Sequence, residues 1–279
     1  YAWRFTAHAS YKERYGEMTD LYDRPYQTDY RNSVWNCGIL PVYRQQLYSV
    51  YGEYKNTARE FFATVNLTHN REWYNRIYEQ RIENGQVQRV SLPLSNHGSG
   101  YTVKSTLSKG FYELGLKTSF LVLLNISKAE QISGGQRLPY QYRLMLLEPK
   151  VIWTPNRHWE TSYQTDIRYG GNKIGERTRL APLWNVTQQV QLSYIFSPIE
   201  ASLSVDHYHN DVNEDQSVNA VFADFSVSWK SGRWQITATA TNLFDKRTYA
   251  YTRYASLESY TSWVRIRPRE FQVAIRYRL

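Results

Sequence analysis

The sequence holds a single cysteine, Cys37, in 279 residues. One thiol makes no intrachain disulfide and supplies no zinc cluster, which excludes disulfide scaffolds and cysteine-based metal modules. Long apolar runs are missing as well. The longest is Phe120-Leu121-Val122-Leu123-Leu124, five residues where a helix needs about 20 to cross a bilayer, so helical membrane spans are excluded. There is no Gly-x-Ser-x-Gly elbow, no glycine-rich phosphate loop and no His-Glu-x-x-His, and no enzyme is expected. The chain opens on Tyr1 without a Met or an apolar leader. It therefore reads as a processed or internal segment, with any signal peptide upstream.

Aromatic residues are plentiful: 25 Tyr, 10 Phe and 9 Trp, or 16% of the chain. A hydrophobic fraction of 42% is too high for a disordered chain, despite a mean hydropathy of -0.63. Lys and Arg number 34 against 25 Asp and Glu, for a net charge of +9. The basic residues are scattered, the densest group being Arg265, Arg267 and Arg269. Nucleic-acid binders cluster them on one face, so no nucleic-acid partner is expected.

The dominant pattern is alternation. Phe271, Val273, Ile275, Tyr277 and Leu279 share one parity, with Gln272, Ala274, Arg276 and Arg278 on the other. Strand side chains point to opposite faces with period two, so such a segment has one apolar and one polar face. The same reading holds for Trp3 to Tyr11, Val221 to Trp229, Trp234 to Ala240 and Trp159 to Tyr169, and over a long stripe from Tyr112 to Ile126. No comparable stretch keeps a helical stripe. The chain reads as all-β.

Turn signals come in two kinds. Short ones are centred near 56, 109 (Ser108-Lys109-Gly110), 155, 197 and 231. Longer polar and aromatic connections fall at roughly 13–43, 70–98, 128–140, 170–182, 210–218 and 246–261. The short turns recur every ~44 residues, which gives about 12 strands. A propeller blade has the same period but needs four short strands in it. A soluble sandwich seldom has strands this long, or turns short at one end and long at the other. That asymmetry belongs to a transmembrane antiparallel β-barrel with short periplasmic turns and long outer loops, and aromatic girdles account for the Tyr and Trp load.

Thr241-Asn242-Leu243-Phe244-Asp245-Lys246-Arg247-Thr248-Tyr249 resembles the penultimate-strand motif of TonB-dependent outer-membrane receptors. Pro268-Arg269-Glu270-Phe271, opening a last strand that runs to Leu279, resembles the end of the same family, and Pro41 to Lys55 is similar in layout to its strands. The many tyrosines resemble Bacteroidetes barrels, including SusC-like glycan importers. The family ends in an aromatic residue, whereas this chain ends in Leu279. Family barrels have about 22 strands around a plug. The resemblance therefore implies that residues 1–279 are one barrel segment, the C-terminal part of a 22-stranded barrel, with the plug outside the chain. It implies import of a nutrient such as a glycan or metal chelate, in the bacterial outer membrane. Implied partners are outer-membrane lipid and lipopolysaccharide, the barrel-assembly machinery acting on Phe271, Val273, Ile275, Tyr277 and Leu279, TonB through the plug, and a surface lipoprotein. The alternative is a stand-alone passive pore or structural barrel.

Candidate ligand residues are aromatic and basic groups of the long connections: Trp73, Tyr74, Tyr78 and Arg81, and Tyr249, Tyr251, Tyr254 and Tyr260. Their rings suit sugar or chelator faces, or else form the outer girdle. His207 and His209 share a face beside Asp211, Glu214 and Asp215, which is either a loop metal site or simply a polar strand end. No metal or cofactor is expected.

Overall fold

The computed structural model describes residues 1–279 apart from Arg31, 84–85, 176–177, Leu180, Glu214, 256–257 and Leu279, and apart from the side chains of 82–83, 178–179, 253–255 and 258–260. Twelve strands form the wall: β1 Ala2–Tyr15, β2 Val42–Asn56, β3 Phe61–Tyr74, β4 Asn96–Phe111, β5 Leu116–Ser133, β6 Gln136–Asn156, β7 Trp159–Ile174, β8 Leu183–Phe196, β9 Ile199–Asp211, β10 Ser217–Ser231, β11 Trp234–Thr241 and β12 Glu270–Tyr277. Each pairs antiparallel with the next in chain order. This up-and-down layout is the wall of a transmembrane antiparallel β-barrel, in the twelve strands the turn count implies. β1 and β12, the first and last strands of this order, are exposed along almost their whole length.

Opposed residues in an antiparallel ladder share a face, so the register carries the alternation across the sheet. One row runs Ala7, Val50, Leu67, Val103, Leu124 and Met145. Another runs Leu192, Leu203, Phe225, Ala240 and Phe271. The opposite face carries Thr6, Tyr51, Asn66 and Lys104, then Gln164, Gln189 and Asp206. The apolar face is left uncovered: Val50 is 53% exposed and Leu67 47%, as suits a surface solvated by lipid rather than packed in a core.

Aromatic rings bound this face at both ends. At the short-turn end stand Trp3 against Tyr54 (4.5 Å between ring centres), Trp159 against Tyr194 (4.6 Å) and Trp234 against Tyr277 (4.7 Å). At the long-loop end His69 stacks on Tyr101 (4.2 Å) and Tyr169 meets Trp184 (4.9 Å). On β4, Tyr101 and Phe111 mark the two levels, ten residues apart. That is ~33 Å of strand, or about 25 Å of height at a tilt near 40°, the height of an outer-membrane apolar band.

Two turn assignments need correction. Ser108-Lys109-Gly110 lies inside β4, and the chain reverses instead at Tyr112–Gly115. Gly110 is a close-approach glycine: a Cβ there would run into the Glu60 carboxylate. Gly115 takes the left-handed conformation of the turn (φ 60°). As a result Tyr112 and Leu114 leave the stripe they were assigned to. The supposed connection at 128–140 is a two-residue hairpin at Gly134-Gly135 (φ 59° and 75°), whose glycines permit a tight primed turn. Around it β5 and β6 lengthen to 18 and 21 residues and project past the aromatic ring.

Short turns of outer-membrane barrels face the periplasm and long loops the outside, and the same is expected here. In a Cys37→Ser background, Lys246→Cys is expected to react with a membrane-impermeant maleimide on whole cells. Ser231→Cys should react only after permeabilisation. The reverse pattern would invert the topology.

Candidate functional site

The long-loop end is built up by two hairpins. The first, Ile77–Glu83 with Gln86–Leu92, extends the sheet: Glu79 and Gln80 pair with Ile132 and Ser133 of β5, and Val87 to Val90 pair with the short strand Asn32–Trp35. Apolar burial pins it, with Ile77 at 0% exposure and Val90 and Ile132 at 6%. Each buried aliphatic side chain contributes roughly 1.5–3 kcal/mol. The Arg76 guanidinium bonds Asp20 at 2.9 Å and ties the short helix Met18–Leu21 to this hairpin.

Between the hairpin and the inner face of the wall is a cavity of about 550 Å³, lined by Tyr74, Arg76, Tyr78, Gln80, Arg89 and Tyr140 among others. Tyr78 is flanked by two guanidinium groups, with Arg89 at 3.7 Å and Arg76 at 5.0 Å from its ring centre. The hairpin register explains the contact: Gln80 opposes Arg89, so Arg89 lies diagonally across from Tyr78. Among the described residues Arg89 makes no ion pair and stacks on a ring instead. Such a cation keeps its capacity for an acidic group on a ligand.

The second hairpin, Thr248–Ala255 with Glu258–Arg265, folds over the inner face of β7 to β10. Asn210 Nδ2 donates to the Ala250 carbonyl (3.2 Å), and Tyr249 packs on Tyr208 (5.2 Å) and Tyr251 (5.9 Å). Its own Ala250 and Thr252 are buried. Beside it on the inner face of β7, Arg168 forks onto Asp166 through two bonds of 2.8 and 2.7 Å.

The structure thus splits the expected ligand set. Tyr74 and Tyr78 line the cavity. Trp73 does not: it is next to Tyr74 on a strand and so points to the outer face, in register with Arg44 and His97. Arg81 is spent on Glu79, a buried carboxylate that it holds at 2.6 Å with help from the Gly135 N–H. Tyr249 and Tyr251 belong to the inward hairpin, not to this cavity. The side chains of Tyr254 and Tyr260 lie outside the described residues. Arg76, Arg89 and Tyr140 went unread: Arg89 reaches Tyr78 through the hairpin register, and Tyr140 joins them only in the cavity wall.

The two histidines do not converge on a cation site. His207 faces outward against Gln188 (3.1 Å), while His209 meets Asn219 (2.9 Å) and Asp211 (3.5 Å). Among the described residues no three His, Cys, Asp or Glu side chains group to hold a metal. Glu214 lies outside the described residues. In the last strand Phe271, Val273 and Ile275 are 73%, 71% and 66% exposed on the apolar face, and Leu279 lies outside the described residues.

No protein-family model matches the chain, and no curated protein does. Among solved structures it is similar to the ferric yersiniabactin uptake receptor FyuA from Yersinia pestis, at 9% identity and a TM-score of 0.44. That likeness covers 99% of this chain and 51% of the receptor, so the chain spans about half the receptor's length. It is also similar to the translocator domain of the autotransporter NalP from Neisseria meningitidis, at 10% identity and a TM-score of 0.30, over 100% of this chain and 89% of that one. Neither likeness says more about this chain than its own strands do.

Proposed function

We propose that this chain is part of the wall of an outer-membrane transport barrel, the C-terminal portion of a TonB-dependent importer. It is not an enzyme. In this reading a plug outside these residues couples transport to TonB, and the barrel-assembly machinery receives the Phe271 to Tyr277 face. The observation that carries the reading is a sheet with an uncovered apolar belt on one face and, on its polar face, the arginine–tyrosine cavity at the long-loop end. Flat rings beside the unpaired Arg89 guanidinium suit a nutrient with planar faces and an acidic group, such as a metal chelate or an acidic glycan. The narrower SusC-like expectation rests on tyrosine content alone.

The exposure of β1 and β12 along almost their whole length favours completion by further strands over a stand-alone pore, because unpaired strand edges in lipid are costly. Reconstitution in planar bilayers separates the two. The 279-residue chain by itself is expected to give no steady single-channel conductance, and to insert stably only when the strands that complete the barrel are supplied. A heat-modifiable monomer with steady conductance from this chain alone would establish the passive pore instead.

A further inference from the structure

The inward hairpin is a sheet of two strands, and its two outer edges differ. In an antiparallel pair alternate residues bond across the pair, and the rest turn their N–H and C=O groups outward. The Ile266 N–H bonds the Arg247 carbonyl, which fixes the phase. Val264 and Ser262 therefore bond Tyr249 and Tyr251, while Ala250 turns outward. Asn210 takes the Ala250 carbonyl and so caps the first strand's edge against the wall. On the second strand the outward residues are Thr261, Trp263 and Arg265. Among the described residues no strand pairs with this edge and no side chain caps it.

The uncapped edge is open and basic. Trp263 is 68% exposed. Arg265, Arg267 and Lys246 are exposed as well, and among the described residues none of them is in an ion pair. Asn242 holds the last two together, since its Nδ2 donates to both the Lys246 and the Arg267 carbonyls (2.8 Å each). The adjacent Asp245 carboxylate is spent on Arg247 (2.8 Å).

We propose that Thr261 to Arg265 binds an extended acidic peptide, which joins the hairpin as a third, antiparallel strand. Each of the three outward residues offers one N–H and one C=O, over about 17 Å of strand at ~3.3 Å per residue. In strand addition such main-chain bonds supply the affinity, and side chains supply the choice. Charge makes the choice here. Two copies of this edge carry charge of one sign and repel, so the hairpin is guarded against pairing with itself. A strand with a carboxylate opposite Arg265 meets the guanidinium instead. Two residues along, on the same face, an aliphatic side chain lies against the Trp263 ring. The inference goes beyond the transport reading and depends on the hairpin alone.

The test titrates the full chain in detergent with the end-blocked heptapeptide Ser-Glu-Val-Val-Val-Glu-Ser, whose second, fourth and sixth residues share a face. Wild type is expected to bind, with affinity falling as salt is raised. Hydrogen exchange should show new protection at Thr261, Trp263 and Arg265, and none at Ser262 and Val264, which already bond within the hairpin. Lysine in place of both glutamates, or N-methylation of the second, fourth and sixth amides, should lower affinity roughly tenfold or more. Trp263→Pro removes an outward N–H and keeps the bonds inside the hairpin, so it should cost roughly tenfold, against a few-fold for Trp263→Ala. R265Q/R267Q should weaken the acidic peptide and flatten its salt dependence. Continued protection of Val264 in each variant checks that the hairpin is kept. Failure of wild type to bind overturns the proposal. So does equal affinity for the N-methylated peptide, or protection that does not alternate along 261–265.

Discussion

Replacing Leu124 with arginine is expected to destabilise the wall in lipid by about 2–4 kcal/mol, whereas Asn125→Arg, one residue on, should cost about 0.5–1.5 kcal/mol. Leu124 sits mid-belt, between Val103 and Met145, and is 40% exposed on the apolar face. A guanidinium there stays in hydrocarbon or drags water to itself. Asn125 points to the polar face, where its Nδ2 donates to Thr102 Oγ1 at 2.8 Å. Arginine there loses that one bond and finds water. Equilibrium unfolding by urea in lipid vesicles measures both. Equal costs at the two positions would mean that neither face meets lipid, and the chain would have to be reread as a soluble sheet.

The same pair of residues shows why so much of the wall could be read directly. Period-two alternation is a local property, and a belt that meets lipid has no tertiary partner able to override it. Trp3, Phe5, Ala7, Ala9 and Tyr11 were assigned one face from sequence, and they oppose Tyr54, Gly52, Val50, Tyr48 and Gln46 on it. The errors lie beyond the aromatic rings. There β5 and β6 leave the lipid belt and are partly covered by the Ile77–Glu83 hairpin, which buries Ile132, so alternation fades and Lys128 to Tyr140 resembles a loop until Gly134-Gly135 is recognised as a primed turn. The site was harder still. Tyr78 could be nominated as an exposed-looking aromatic, but its neighbour Arg89 arrives through the register of a hairpin, and Trp73 was lost to the simple rule that adjacent strand residues face opposite ways.

Asn242→Ala is expected to cost about 3–4 kcal/mol and to release the whole 242–269 connection, although Asn242 stands in a loop. Its side chain makes three bonds: Nδ2 donates to the Lys246 and Arg267 carbonyls (2.8 Å each), and Oδ1 accepts from the Lys246 N–H (2.9 Å). The residue is 6% exposed and left-handed (φ 52°), a conformation asparagine tolerates and alanine does not. Three net bonds at about 1 kcal/mol each and about 1 kcal/mol of backbone strain give the figure. Asn242→Gly should recover the strain portion only. Asn242→Asp should do no better than alanine, since it turns a second oxygen toward two carbonyls. By contrast Phe244, the bulkiest residue of the motif, is 56% exposed, and Phe244→Ala should change little. Asp245 completes the clasp, accepting from Arg247 Nη2 (2.8 Å) and from the Arg269 N–H (3.0 Å). The Arg247 side chain first, and the Arg269 amide second, hold its carboxyl below the usual carboxylate range. A depressed carboxylate contributes stability that is present above its unfolded value near ~3.9 and is lost as pH falls through the folded one. Hydrogen exchange should therefore show Leu243 to Lys246 protected at neutral pH, unprotected in the Asn242→Ala chain, and opening in acid ahead of the wall strands. Asp245→Asn should remove the acid step while leaving the Asn242 bonds in place. Should Asn242→Ala leave exchange across 242–269 unchanged, the motif would be held by the inward hairpin's packing on Tyr208 and Asn210 and not by its own asparagine.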